Sequence, residues 1–373
     1  MNEVVISGVG LWHPEHIITN AELVASYNGW AKAENRRNAA AITASTMEAL
    51  APSSVEFIEK ASGIRQRYAY VKDGVLDIER MRPNIPERGE DELSHQAEMA
   101  LNAARPALAA ANKTPTDIDM VVVSCAYTQR AYPAIAIEVQ AALGIEGFGF
   151  DMLVACSAAT FALQRACDAV AAGSARAVLV INPELTSPQV NYKDRDGHFI
   201  FGDVATAMVL ERANTCTAQH SYGVLGTRAR TVYSNNIRSN FGYLSFADDS
   251  DPFGTDKLFH QNGRKVFKEV CPMAADHLLA QIETLGLNVP DIRRWWLHQA
   301  NINMNQLIVR RLLGTEPTKD VAPIVLDEYA NTASAGSIIA FAENHEDLKP
   351  GDHGVICSFG AGYSIGSLVL RKR

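Results

Sequence analysis

Gly147-Phe-Gly-Phe-Asp-Met-Leu-Val-Ala-Cys-Ser-Ala-Ala-Thr-Phe-Ala-Leu-Gln-Arg-Ala-Cys-Asp-Ala-Val170 is the stretch on which the reading of the fold turns. Phe148 to Val154 has the apolar run of a buried strand, Ala155-Cys156-Ser157 is a sharp turn, and a helix follows. In that helix Phe161, Leu163, Ala166, Ala169 and Val170 fall close to helical spacing. Cys156 therefore sits where strand becomes helix. Unpaired N–H groups and the positive end of the helix dipole favour a thiolate there, so a lowered pKa is expected. The small residues Ala155, Ser157, Ala158 and Ala159 leave room for a substrate at the sulfur. A lone cysteine is more often an inert core thiol, as Cys167 on the same helix would be. Two motifs further along the chain shift the balance toward chemistry.

The chain has 373 residues, enough for one large domain or two moderate ones. It is 47% hydrophobic and 20% charged, with a net charge of −8 and no basic run, which argues against nucleic acid as a partner. The six cysteines form no CxxC pair, and several lie in apolar segments, a usage that suits the reducing cytoplasm. Met1-Asn-Glu-Val-Val-Ile-Ser-Gly reads as a strand start rather than a secretion signal, and no apolar run reaches membrane-spanning length. The ten histidines are scattered without metal-ligand spacing, so no metal is expected.

Strand and helix patterns alternate on both sides of the Cys156 stretch. Val4 to Leu11 reads as a strand, and Asn20 as the cap of a following helix. Gly29 to Ser53 looks like an inserted helical excursion, and Arg80 to Glu92 like an exposed loop. Ser94 to Asn112 is an Ala-rich helix, Met120 to Ala126 a central strand, and Ala177 to Ile181 and Val204 to Leu210 are further strands. The second half repeats the idea. Val224 to Val232 is a strand, Ser239 to Gln261 a long polar loop, and Val266 to Leu287 a helix. Trp295 to Leu297 is a short strand ending in His298, with a helix at Asn301 to Leu313. Val355 to Ser358 and Ser364 to Leu370 are strands joined by Gly360-Ala-Gly362. The expected fold is α/β, built from two pseudo-duplicated halves, residues 1–212 and 213–373, that share one site at strand C-termini.

Three polar residues stand out, two at such ends and one in a small-residue turn before a helix. Cys156 lies in the first half, His298 in Leu297-His-Gln-Ala-Asn301, and Asn331 in Tyr329-Ala-Asn-Thr-Ala-Ser-Ala-Gly336. A strand-end histidine is often structural, and an asparagine before Thr-Ala-Ser is often only a helix cap. Together the three make a nucleophile, a base or donor, and a second donor, a set suited to acyl transfer or to a cysteine hydrolase.

These segments resemble the β-ketoacyl-acyl-carrier-protein synthase III family of thiolase-like condensing enzymes. Val154-Ala-Cys-Ser-Ala-Ala-Thr-Phe-Ala is similar to that family's nucleophile elbow, and the His298 and Asn331 motifs to its histidine and asparagine motifs. Gly63-Ile-Arg-Gln-Arg67, Ala131-Tyr-Pro133, Ile200-Phe-Gly-Asp203 and Ser358-Phe-Gly-Ala-Gly-Tyr-Ser-Ile-Gly366 also match, in order along nearly the whole chain. Thiolases carry a second reactive cysteine and elongating synthases pair cysteine with two histidines, whereas plant-type polyketide synthases share the Cys-His-Asn set. The whole pattern looks closest to a longer subtype that makes β-ketodecanoyl chains.

The resemblance implies a five-layer αβαβα fold and a homodimer. It implies that Cys156 takes an acyl group from acyl-CoA, with a medium-chain primer near octanoyl preferred. Malonyl-acyl-carrier protein then loses CO2 while His298 and Asn331 hydrogen-bond the thioester oxygen. A backbone oxyanion hole would use the N–H groups of Cys156 and Ala361, the latter standing where the family usually has glycine. Tyr132 and Phe201 would line the acyl pocket, Tyr132 from the neighbouring subunit. Phe57, Arg65 and Asn301 would meet CoA, although Phe57 replaces a usual Trp, and Ala61 and Asn303 replace usual arginines. Lys268, Arg310 and Arg311 would face the acyl-carrier protein. No cofactor beyond the two substrates is implied. Acetyl-CoA as primer, a polyketide-type condensation and an acyl-thioester hydrolase are the competing readings. A non-catalytic partner subunit is disfavoured by the complete Cys156, His298 and Asn331 set.

Overall fold

A computed structural model describes residues 2–373. Its first part runs β1 (Val4–Trp12), β2 (His16–Thr19), α1 (Asn20–Arg37), α2 (Ala39–Thr43), α3 (Val55–Ser62), β3 (Gln66–Ala69), α4 (His95–Ala110), β4 (Met120–Cys125), α5 (Ile135–Leu143), β5 (Phe148–Leu153), α6 (Ala158–Ala172), β6 (Ala177–Glu184) and β7 (Val204–Arg212). The second runs β8 (Tyr222–Ser234), β9 (Ile237–Arg238), β10 (His260–Gln261), α7 (Gly263–Thr284), β11 (Ile292–Leu297), α8 (Ile302–Leu313), α9 (Leu326–Tyr329), α10 (Gly336–Glu343), β12 (His353–Gly360) and β13 (Gly362–Lys372).

Nine strands join in one mixed sheet, ordered β11-β12-β13-β8-β1-β7-β6-β4-β5. The pairing pattern repeats about its middle. β1 pairs antiparallel with β7, β7 antiparallel with β6, and β6 parallel with β4. In the other direction β8 pairs antiparallel with β13, β13 antiparallel with β12, and β12 parallel with β11. The two runs meet at β1 and β8, which pair only at Val5↔Gly223 and Ile6↔Tyr222.

Side-chain alternation along the strands builds the layers. Val121, Val123, Leu179 and Ile181 pack under α4 and α5. Their neighbours Met120, Val122, Val178 and Val180 point the other way, onto α6. In the second run Trp296, Ile356 and Leu368 join the same central cluster with Ile338 to Phe341 of α10, while Trp295, Val355 and Val369 pack under α7 and α8. The order across the molecule is thus helix, sheet, helix, sheet, helix, the thiolase-like five-layer arrangement, with α6 and α10 in the middle. The outer layer fits closely because β1 lacks side chains where α4 crosses it. A Cβ at Gly8 would lie 2.2 Å from the Ala107 carbonyl oxygen, and one at Gly10 would lie 2.1 Å from that of Ala103.

Two local expectations are corrected. Thr19, not Asn20, caps α1: its side chain accepts from the Glu22 N–H while Glu22 reaches back, a capping box. Asn20 is instead buried, donating to the Ile64 carbonyl and accepting from Arg67. The strand before Cys156 is not buried on all sides. β5 pairs with β4 and ends the sheet, leaving Phe148 48% and Leu153 55% exposed. The opposite end is covered: the Trp295 N–H of β11 donates to the Val321 carbonyl at 2.8 Å, and Arg293 and Arg294 both pair with Asp320.

Candidate active site

The turn Ala155–Ser157 is a single 3-10 turn in front of α6, and Ala155 has φ +45. A non-glycine residue in the left-handed region carries strain, and here the strain aims Cys156 out of the turn. Neighbours fix the turn. Ser157 Oγ donates to the Ser364 carbonyl at 3.0 Å, tying it to β13. Gly360, at the end of β12, lies against it so closely that a Cβ there would be 2.7 Å from Cys156 Cβ. The Gly360-Ala361-Gly362 turn tolerates its central alanine because the positive φ, +118, falls on Gly362.

His298 follows β11 directly. Its N–H donates to the Cys357 carbonyl of β12 at 2.8 Å, and its ring meets Phe359 edge-on at 5.2 Å between centroids. The residue is buried, and burial pushes the imidazole down to about 4, opposed by the backbone of Ala333. The ring is therefore neutral at physiological pH and carries one N–H donor. Nδ1 is buried with no partner among the described residues. Asn331 is held by a short bridge to Phe201: its N–H donates to Ile200 and its carbonyl accepts from Gly202. Its Oδ1 accepts from the Ala333 N–H at 3.0 Å. That bond sets the amide orientation and leaves the NH2 end as the free donor.

The three segments converge. The turn around Cys156 packs on residues 333–335, Gly360 of β12 touches Cys156, and the backbone at Ala333 acts on the His298 ring. A thiol and a neutral imidazole at strand C-termini of the two halves thus stand together with an amide donor from the turn between α9 and α10.

One expectation about the thiol is overturned. Cys156 is half-buried, yet burial, followed by the Glu184 carboxylate, pushes its thiol up to about 12. Its own backbone N–H at the helix start works the other way and loses. Glu184 ends β6 and was not singled out from the sequence, where it lies in a plain strand end. It is buried and accepts from the N–H groups of Ala126 and Ser334, both at 3.0 Å, and from the Ser334 hydroxyl. One carboxylate so joins β4, β6 and the Asn331 turn. Burial raises it to about 7.

The remaining candidates are scattered more widely. Phe201 is buried against Phe259, with 4.7 Å between ring centroids, beside Asn331. Tyr132 is 76% exposed and points away from its own core, close enough to Tyr243 that its hydroxyl raises that phenol's pKa. Phe57 does not offer a free ring face on both sides: the Arg195 guanidinium lies over it at 3.9 Å. Asn301 caps α8 through the Asn303 N–H at 2.9 Å and donates to the Ala61 carbonyl at 2.6 Å, so both ends of its amide are already used. Arg65 is exposed. Lys268 on α7 and Arg310 and Arg311 on α8 are exposed on the same outer layer, Arg310 paired with Glu316 at 2.6 Å.

The 3-oxoacyl-[acyl-carrier-protein] synthase III family model matches residues 150–231, and the model of that family's C-terminal part matches residues 282–372. A β-ketodecanoyl-[acyl-carrier-protein] synthase of Pseudomonas aeruginosa is 53% identical over 347 residues, 93% of this chain and 99% of the relative. The chain belongs to the 3-oxoacyl-[acyl-carrier-protein] synthase III family. It is an acyltransferase, a condensing enzyme. Among solved structures, the priming β-ketosynthase of the R1128 polyketide pathway superposes with a TM-score of 0.78 at 25% identity, covering 99% of this chain and 96% of that one. The synthase III of Pseudomonas aeruginosa superposes at 0.77 and 22% identity over 99% and 98%, a likeness of fold. Both family matches bracket the site: the first contains Cys156, Glu184 and Phe201, the second His298, Asn331 and the Gly360 turn.

Proposed function

We propose that this synthase loads a medium-chain acyl group, near octanoyl, from acyl-CoA onto Cys156 and condenses it with malonyl-acyl-carrier protein, giving 3-oxodecanoyl-acyl-carrier protein for fatty acid synthesis. The observation that carries the chain length is the 53% identity, over nearly the whole length, to a relative named for the β-ketodecanoyl product. In the first step the Cys156 sulfur attacks the acyl-CoA carbonyl and the CoA thiol leaves with the proton. In the second, the malonyl thioester loses CO2, and the enolate carbon forms a C–C bond to the acyl carbonyl as the C–S bond to Cys156 breaks. The neutral His298 ring and the free Asn331 NH2 donate to the thioester oxygen where negative charge builds. The N–H groups of Cys156 and Ala361 serve the oxyanion of the acyl-enzyme step. The two substrates supply every atom, so the reaction so written calls on no metal or organic cofactor.

A longer primer is favoured by burial: each methylene contributes about 0.8 kcal/mol, so six beyond acetyl give roughly 5 kcal/mol before ordering costs. Phe201 with Phe259 forms an apolar wall beside Asn331 to receive it. Across acetyl-, butyryl-, octanoyl- and dodecanoyl-CoA, kcat/KM with malonyl-acyl-carrier protein is expected to peak at octanoyl. A maximum at acetyl would overturn the primer assignment and leave the condensing chemistry standing.

The working unit in this reading is a homodimer in the cytoplasm, where six unpaired thiols remain reduced. The open edge of β5, with Phe148, Leu153 and Tyr132 exposed beside it, supports a second copy pairing there. Tyr132 would then reach the other subunit's acyl pocket. Sedimentation at micromolar concentration should give twice the chain mass, and a monomer would refute the pairing. In this reading exposed Arg65 meets CoA, and Lys268 and Arg311 offer positive charge to an acidic carrier protein.

A further inference from the structure

The segment that carries Asn331 does not hold its own shape. Ala330 has φ +58 and Ala333 φ +47, so two alanines in one turn stand in the left-handed region, where a Cβ is strained. Thr332, between them, leaves its buried hydroxyl without a partner among the described residues. On one side the backbone bridge from Asn331 to Phe201 ties the segment down. On the other side the tie is a side chain from a different strand. Ser334 donates to Glu184 Oε1 through its N–H, at 3.0 Å, and through its hydroxyl. Glu184 Oε2 accepts from the Ala126 N–H at 3.0 Å, which anchors the carboxyl at the end of β4.

Ala333 is the residue on which this tie acts. It lies directly before Ser334. Its N–H holds Asn331 Oδ1 at 3.0 Å, and its backbone meets the His298 ring. With Ser334 released, Ala333 relaxes out of its strained φ and its N–H turns away from the amide. Asn331 then loses the bond that sets the direction of its NH2 end. The carboxyl is an unusual choice for a merely structural tie. It is buried, and what faces it is three neutral donors and, further off, the Asp203 carboxylate, with no cation among the described residues. A buried carboxyl so placed is destabilising unless donors surround it. Both Ser334 bonds fall on Oε1, so a proton on Oε2 leaves that acceptor in place.

We propose that Glu184 is a positioning residue for condensation: by holding Ser334 it fixes Ala333, and through Ala333 it aims the Asn331 amide, with the His298 ring beside it, at the malonyl thioester oxygen. The carboxyl itself touches no substrate, and the inference rests on Asn331 serving condensation. Loading of Cys156 does not use the amide, so the two half-reactions separate the effect from a general loss of structure.

Glu184→Leu keeps much of the bulk and removes the acceptor. In rapid-quench experiments, acylation of Cys156 by octanoyl-CoA should not fall in this variant. Condensation of the preloaded acyl-enzyme with malonyl-acyl-carrier protein should fall roughly tenfold or more, in kcat with KM for the carrier substrate kept, since a misplacement on the order of 1 Å can cost about a hundredfold. Glu184→Gln retains an acceptor for Ser334 and should recover most of that loss. Ser334→Ala, a change small enough to fold even where Glu184→Leu does not, should lose roughly threefold to tenfold in the same step. The Glu184→Leu/Ser334→Ala double variant should be no worse than Glu184→Leu, because both changes cut one contact. Equal falls in acylation and condensation, no fall in either, or losses that add in the double variant would overturn the proposal. Asn331→Ala is the reference. Condensation lost there but kept in Glu184→Leu and Ser334→Ala would refute the tie alone; condensation kept in Asn331→Ala would refute the role of Asn331 and the tie with it.

Discussion

Cys156→Ala is expected to abolish condensation, by roughly a thousandfold or more, because no second nucleophile stands at the site to hold the acyl group. Cys156→Ser should be nearly as inactive, since a hydroxyl ionises less readily than a thiol. Intact mass after incubation with octanoyl-CoA should show one added acyl group in wild type and none in either variant. The other five cysteines give an internal control: Cys125, Cys167, Cys271 and Cys357 are buried and Cys216 lies at the end of a short 3-10 turn. Activity persisting in Cys156→Ala would refute the assignment. The pH behaviour follows from the raised thiol. With its pKa near 12, Cys156 is a protonated thiol at rest, so alkylation by iodoacetamide should speed up about tenfold per pH unit from 7 to 9 without a plateau. Glu184→Gln removes a negative charge that holds the thiol up. It should accelerate alkylation above pH 7, where Glu184 is ionised, and leave it alone below pH 6, where Glu184 is already neutral. The same group sets a stability slope. Its folded pKa, about 7, lies above the ordinary 4.5, so its contribution is present at low pH and is lost as pH rises through 7.

His298→Ala is expected to separate the two halves of the reaction. Acylation of Cys156 should survive, while condensation falls roughly a hundredfold or more for the loss of one donor to the developing oxyanion. Asn331→Ala should act in the same direction. Rapid-quench measurement of acyl-enzyme formation beside product formation reads both steps, and loss of acylation with condensation intact in the acylated enzyme would reverse the roles. Acid should leave the step untouched until pH approaches 4, because His298 is kept neutral down to that point by burial.

Much of this arrangement is readable from residues alone, and the exceptions have physical causes. The alternation of strand and helix, the turn at Cys156 and the strand-end position of His298 follow from periodicity and punctuation, which are local properties. The family likeness supplied the partnership of the three residues, which are 142 and 33 positions apart and meet only through the fold. Three things were hidden. The strand at Phe148 reads as buried because its residues are apolar, and nothing local says that it stands at the edge of the sheet. The thiol's pKa depends on a dry site and on Glu184, a residue distant in sequence whose placement comes from three hydrogen bonds. The cap at Thr19 rather than Asn20 is a choice between two capable neighbours, decided by Arg67 drawing Asn20 into the core.

The two ends of the sheet differ, and in the proposed homodimer that difference would limit how many copies associate. At β11 the backbone is engaged by Val321 and guarded by ion pairs, while β5 is left open. A sheet with two open ends can add copies indefinitely and grow into fibres. One with a single open end has a valence of one: once two copies join edge to edge about a twofold axis, both valences are spent and assembly stops. In the proposed homodimer the cover over β11 would thus hold assembly at two copies, although it lies at the far end of the sheet from the surface where copies would meet.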